Sequence, residues 1–236
     1  MARHQLGEFR FDRNPKSGDL RLMAIGPVRY KAVLARAFPN LSFSQWFHDR
    51  NNRFSWGTYI KNAGTQEEVA LADLCALLRE TWLLEDDLTE TIALGLHQEP
   101  SPNGDLQRTA IGQLVFEAKS YNRVRHPGNQ VKARELADRM AKVVERHPTY
   151  RHAQLIVAVP ESNREKAYDL PNFLCRELSQ RMCIPSPEGI VCKSRDSKPM
   201  KNLRTVREKI ANVEGLYQAD ESQVRGKTVL LVDDIL

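Results

Sequence analysis

The segment Thr228-Val229-Leu230-Leu231-Val232-Asp233-Asp234 constrains this chain more than any other. A short, unbroken apolar run has no polar side to turn to water. It reads as a strand buried on both faces, the habit of parallel sheets. Two carboxylates directly after it stand at the C-terminal edge of such a sheet, where open α/β folds take their ligands. A second run of this kind, Ala153-Gln154-Leu155-Ile156-Val157-Ala158-Val159, ends at Pro160. Helical periodicity precedes it over about 129–146, where Val131, Leu136, Met140, Val143 and Val144 share one side and Pro148 stops the pattern. Another helix is expected near 171–183, from Phe173, Leu174, Leu178 and Met182, and a short strand at Gly189–Cys192. Strands and helices in alternation predict a parallel α/β sheet. A strand ending in paired acids is expected to lead into a loop and more fold. The chain stops at Leu236, so the sheet is expected to be C-terminally incomplete.

The first half reads differently. Residues 1–61 hold ten of the seventeen aromatics, interleaved with arginines. Rings that stack on bases beside cations that hold phosphates fit a nucleic-acid surface. An aromatic core in a small α+β domain fits the same residues, which are mixed with Leu22, Ile25 and Val28. Thr65 and Glu68 have capping-box spacing, and Val69, Leu71, Leu74, Leu77, Leu78 and Trp82 follow at helical intervals. Residues 97–105 contain two prolines and a glycine and read as a linker. The expected organisation is an N-terminal domain at 1–105 and an α/β domain at 106–236.

Charge is distributed in blocks. Residues 1–61 carry 11 Lys+Arg against 4 Asp+Glu; residues 62–105 carry 1 against 10; residues 106–236 carry 23 against 16. Two basic segments thus flank an acidic one, within a net charge of +5. The acids Glu85, Asp86, Asp87 and Glu90 are expected to form a solvated face. No window approaches a membrane span, and the N-terminus lacks the apolar stretch of a secretory signal. Cys75, Cys175, Cys183 and Cys192 form no C-x-x-C pair. Free thiols without an export signal are expected in a reduced cytoplasm.

Three kinds of protein end a strand in paired acids. A nucleotide hydrolase needs an upstream G-x-x-x-x-G-K-[ST] loop. Gly226-Lys227-Thr228 supplies its end, but Glu221 stands where the first glycine belongs, and a strand follows where a helix is required. A phospho-receiver domain would need its whole body after the acids. The third kind is the phosphoribosyltransferase, and Gly226-Lys227-Thr228 with Val229-Leu230-Leu231-Val232-Asp233-Asp234-Ile235 resembles its substrate strand closely.

Residues from about 106 to the end resemble the competence-protein-F-like branch of the type I phosphoribosyltransferases. That branch has a strand ending in Val-Pro and a turn of the form R-x-R-G-F-N-Q. Here Val159-Pro160 is followed by Arg164, Lys166 and Tyr168 in the matching order, with Ala167, Asp169 and Leu170 replacing the glycine and the amides. Leu203, Lys209, Asn212, Val213 and Tyr217 follow the order of the branch's L-[ST]-x-x-x-R-x-x-N-V-x-x-x-F segment, with one extra residue between Leu203 and Asn212. Phe116-Glu117-Ala118-Lys119-Ser120-Tyr121 resembles its Leu-Lys-Tyr element. The first 105 residues do not show that branch's cysteine-rich zinc module.

The resemblance implies a substrate, phosphoribosyl pyrophosphate (PRPP), with Mg²⁺. It assigns the ribose hydroxyls and the metal to Asp233 and Asp234, although strand-end acids also serve as loop caps. It assigns pyrophosphate contacts to Arg164 and Lys166. Lys193, Arg195, Lys198, Lys201, Arg204, Arg207 and Lys209 have the composition of a basic hood, with Arg207 and Lys209 as catalytic candidates; a solvated loop has it too. The phosphate-binding loop that follows the acids in the family does not occur before Leu236. Little or no transferase activity is therefore expected of this chain alone. The alternative is a non-catalytic, nucleic-acid-binding or regulatory protein on the same scaffold, with single-stranded nucleic acid as partner. Relatives in the family commonly form homodimers.

Overall fold

The computed structural model describes residues 5–86, 88–119, 127–160, 169–198 and 202–234. The fold is mixed α/β and divides into two compact units, Met1–Leu96 with Val143–Arg151, and His97–Lys142 with His152–Leu236.

The first unit is built on four antiparallel strands. They are β1 (Phe9–Arg13), β2 (Leu20–Ala24), β3 (Ser42–Phe43) and β4 (Trp56–Lys61), in the spatial order β1-β2-β4-β3. Alternation decides the two faces. Leu20, Leu22 and Ala24 of β2 and Trp56, Thr58 and Ile60 of β4 are all buried. Two helices supply the rest of that core: α1 (Tyr30–Ala37) through Tyr30, Val33 and Leu34, and α2 (Thr65–Glu80) through Leu71, Leu74, Leu77 and Leu78. Most of the N-terminal aromatics, including Phe9, Phe11, Phe38, Phe43 and Trp46, pack against this cluster. A hairpin of β5 (Trp82–Leu84) and β6 (Thr91–Ala93) follows.

Two local expectations are corrected here. The cap of α2 is Gly64, one residue before Thr65. Glu67, three residues after that cap, lies with Oε2 2.8 Å from where a Cβ of Gly64 would sit, while Glu68 pairs with Arg13 at 2.8 Å. Glu90 does not belong to a solvated face. Its side chain is 4% exposed, 3.1 Å from Arg36 Nη1 and 3.0 Å from His147 Nε2. A buried carboxylate needs such partners, because desolvation would otherwise cost several kcal/mol (about 3–5 for a pair broken on one side). Asp87 lies outside the described residues.

The second unit begins where a linker was expected. Residues 97–105 contribute β7 (Gln98–Pro100) and the turn of a hairpin closed by β8 (Leu106–Arg108). Next come α3 (Ala110–Ala118), α4 (Pro127–Arg146), β9 (Leu155–Ala158), α5 (Leu170–Met182), β10 (Val191–Lys193), α6 (Val206–Val213), β11 (Tyr217–Ala219) and β12 (Val229–Val232). The last turn of α4 is counted with the first unit, and Val143 lies in that unit's core. α5 is capped by Asp169, carries Pro171 in its first turn, and ends at Cys183 in the left-handed region. No helix among the described residues is long and apolar enough to cross a membrane.

β9 and β12 pair in parallel, with Leu155 opposite Val229 and Ala158 opposite Val232. This is the single parallel pair among the described residues, and the remaining sheets are antiparallel. The strand expected at 189–192 joins β11 in an antiparallel ribbon rather than the parallel pair. Side-chain burial shows why: Cys192, in its middle, is exposed, so the strand is not covered on both faces. β9 does have that character, with Leu155, Ile156 and Val157 all buried. β12 has it only in part, since Leu231 is 46% exposed beside a buried Val232.

Candidate functional site

The candidate site lies at the C-terminal end of the β9–β12 pair. Its register is pinned at both ends. Gln154 N donates to Thr228 O at 2.8 Å and Thr228 N to Gln154 Oε1 at 3.1 Å; beyond the strands, Val159 N donates to Val232 O at 2.9 Å. Asp233 and Asp234 therefore leave the sheet from a fixed point. Asp234 N donates to Asp233 Oδ1 at 2.8 Å, which holds the Asp233 carboxylate against the backbone of the next residue.

Lys119 reaches Asp234. Its Nζ is 2.9 Å from Asp234 Oδ2, and the two side chains are 17% and 11% exposed. The lysine is placed by the end of α3. Thr109 caps that helix at its start, accepting from Gly112 N at 3.0 Å. Asn129 holds its end, donating through Nδ2 to Glu117 O at 2.7 Å and Lys119 O at 2.8 Å. Gly112 permits the helix to lie against the hairpin, because a Cβ there would be 1.9 Å from His97 O.

Tyr217 of β11 feels the charge of Asp233. Burial first, and then the negative charge of Asp233, push its phenol above the ordinary tyrosine range. The phenol stays protonated at neutral pH and can serve as a hydrogen-bond donor. Lys119 compensates the charge of Asp234. Adjacent hard oxygens of this type fit Mg²⁺, which binds through one or two carboxylates with substrate phosphates and water completing six ligands. No group of three or more His, Cys, Asp or Glu side chains that could hold a metal ion occurs among the described residues.

Arg207 and Lys209 stand exposed in the first half of α6. Arg164 and Lys166 lie outside the described residues. Within the stretch 193–209, read as a basic hood or a solvated loop, the described residues 193–198 and 202–209 include the start of α6 and contacts to it. Thr205 and Glu208 form a capping box, and the backbone N–H groups of Thr205 and Arg204 hold the Glu208 carboxyl below its usual range. Asn212 accepts from Lys198 N at 3.0 Å and donates to Lys198 O at 2.9 Å. Arg195 donates to the carbonyls of Ala211, Asn212 and Glu214, closing the C-terminus of α6. Arg195 is thus engaged in the helix rather than turned to a ligand, a correction to its place in the hood. Lys201 lies outside the described residues.

Lys119 and Tyr217 were not among the expected site residues, although both fall in the motifs that carry the family resemblance. Lys119 had a weak signal of its own, a single cation directly after the apolar helix that ends at Ala118. Tyr217 had only its place in such a motif: the influence of Asp233 on it depends on tertiary structure. No family model, no curated protein and no solved structure matches the chain.

Proposed function

We propose that the second unit binds a phosphorylated ribose, PRPP in the first instance, together with Mg²⁺, in the manner of a type I phosphoribosyltransferase. The observation that carries this reading is the Asp233-Asp234 pair at the C-terminal edge of a parallel strand pair, with Lys119 on Asp234. Strand-end carboxylates accept hydrogen bonds from vicinal ribose hydroxyls. Lys119 fixes the rotamer of one carboxylate, so less freedom is lost when the sugar docks. Magnesium, when bound, would screen the pyrophosphate charge that grows as the bond to C1 breaks. Arg207, Lys209, Arg164 and Lys166 are the groups assigned to that same charge. Transfer or hydrolysis of the phosphoribosyl group is the corresponding reaction.

The test is thermal stabilisation of the full chain by PRPP. A ligand at about 100 times its Kd stabilises a fold by about 2.7 kcal/mol. Millimolar PRPP with Mg²⁺ is expected to raise the melting temperature of the second unit. Asp233→Asn with Asp234→Asn is expected to abolish the rise. No shift in the parent protein, or an equal shift in the double variant, would sink this reading.

A further inference from the structure

The sheet of the first unit has a second face, and the pairing register defines it. Rows across the sheet run Arg10, Met23, Gly57, Phe47 and Asp12, Arg21, Tyr59, with Lys61 opposite Ser42 at one end. All of these positions alternate with the buried core positions, so they lie on the face away from α1 and α2.

A glycine lets side chains lie close to the backbone at the centre of this face, where Met23 and Gly57 are themselves buried. A Cβ on Gly57 would be 2.4 Å from Met23 Sδ and 2.8 Å from the ring of Phe47. The thioether and the ring therefore lie directly on the backbone. Phe47 is fastened there by two hydrogen bonds with Gly57, of 2.9 and 2.8 Å. Its ring centroid is 5.5 Å from that of Tyr59, and both rings remain half-buried rather than covered. Beside Tyr59 lies Arg21, whose Nε and Nη2 each donate to Asp12 at 2.7 Å. That bidentate clamp fixes the guanidinium plane. Two rings and a held guanidinium form a continuous stacking surface. Arg10, 60% exposed, and Lys61, also exposed, stand at its rim. The positions named comprise three cations, Arg10, Arg21 and Lys61, and one carboxylate, Asp12. The unit's acids are concentrated instead in residues 62–96, beginning with α2, which packs against the opposite face.

We propose that this face binds single-stranded nucleic acid. Bases stack on aromatic rings and on guanidinium planes whatever their sequence, while peripheral Arg and Lys hold the phosphates. The rings and cations here occur in that arrangement, and the charge separation across the unit turns a polyanion toward the sheet. A four-stranded sheet is about 15 Å wide, room for about two or three stacked bases. A duplex hides its bases from such a platform. This inference is independent of the PRPP reading, since no residue is shared.

The test uses the full chain and fluorescently labelled oligo-dT and oligo-U of about 12 nucleotides, with a duplex of equal length as competitor, followed by fluorescence anisotropy. Expected are binding that weakens steeply with salt and preference for the single strands. Tyr59→Ala should weaken binding about 5- to 150-fold. Arg10→Gln with Lys61→Gln, both at exposed positions that leave the core intact, should reduce the slope of log K against log salt by about 0.7 per lost phosphate contact. Circular dichroism of each variant separates lost binding from lost fold. The proposal is overturned if the parent shows no binding at low salt, if the duplex competes better than the single strand, or if Arg10→Gln with Lys61→Gln binds as the parent does. It is also overturned if Arg207→Gln with Lys209→Gln removes the binding that the sheet variants leave intact.

Discussion

Replacing Gly112 by alanine sets two effects of known size against each other. Within a helix, alanine is favoured over glycine by about 1 kcal/mol, so at an open position the change would stabilise α3. Gly112 is not open. The added Cβ would lie 1.9 Å from His97 O and 2.7 Å from His97 C. Both are backbone atoms of the chain just before β7, so no side-chain rotation relieves the contact. The helix or the hairpin must move by more than 1 Å to restore ordinary separation. That movement would stretch the Thr109 N to His97 O hydrogen bond, now 3.3 Å. It would also displace Lys119 at the far end of α3. Overpacking of this kind costs about 1–3 kcal/mol, and backbone against backbone belongs at the upper end. The net expectation is a loss of about 1–2 kcal/mol, equivalent to about 2–8 °C in melting temperature. Calorimetry and urea denaturation would measure it, with Gln113→Ala, at the exposed neighbouring position, expected within about 0.5 kcal/mol of the parent. A Gly112→Ala protein as stable as the parent, or more so, would refute the argument that this glycine is required by close approach.

Three further outcomes are expected. Lys119→Met strands a largely buried Asp234 and should cost about 3 kcal/mol in urea unfolding, whereas Lys119→Met with Asp234→Leu should recover most of the loss. Burial raises Tyr30 from 10.0 to about 12 and Cys75 from 9.0 to about 12. A folded-state value above the unfolded one gives stability that is complete below the unfolded value and lost as pH climbs to the folded one. The first unit should therefore weaken from about pH 9 to pH 12, and Tyr30→Phe should flatten that decline above pH 10, followed by tyrosinate absorbance and circular dichroism. Thr205→Ala removes half of a capping box and should cost α6 about 1 kcal/mol, read as faster amide exchange from Val206–Val213 while α5 is unchanged.

Elements with strong local signals were legible. α5 runs from Leu170 to Met182 against an expected 171–183, because its cap, its proline and its periodicity all lie within one short segment. β9 was legible because three consecutive buried aliphatics need cover on both faces. α6 was overlooked behind its basic composition, although Thr205-Val206-Arg207-Glu208 spells out the capping box that starts it. The pairing of β10 was not legible, since a strand of three residues carries no signal that separates parallel from antiparallel partners. At the site, Asp233 and Asp234 were marked by position alone. Lys119 was not, because an ion pair between residues 119 and 234 is decided by tertiary packing. Glu90 was misread for the same reason: its neighbours Arg36 and His147 are remote in sequence, and only their approach makes burial tolerable.

The discontinuity of the first unit bears on how the chain is made. Synthesis delivers the four-stranded sheet, α1, α2 and the β5–β6 hairpin first, but Val143, His147 and Tyr150 emerge only after residues 97–142. At about 5–20 residues per second, the ribosome spends roughly 2–10 s on that interval. For those seconds the early sheet and helices have most of their core, yet Glu90 lacks the imidazole that will lie beside it, and the surface that Val143 and Tyr150 will cover stays wet. The nascent chain thus passes through a partly sealed state that ends when residues 143–151 arrive. That interval is when a chaperone would have something to hold.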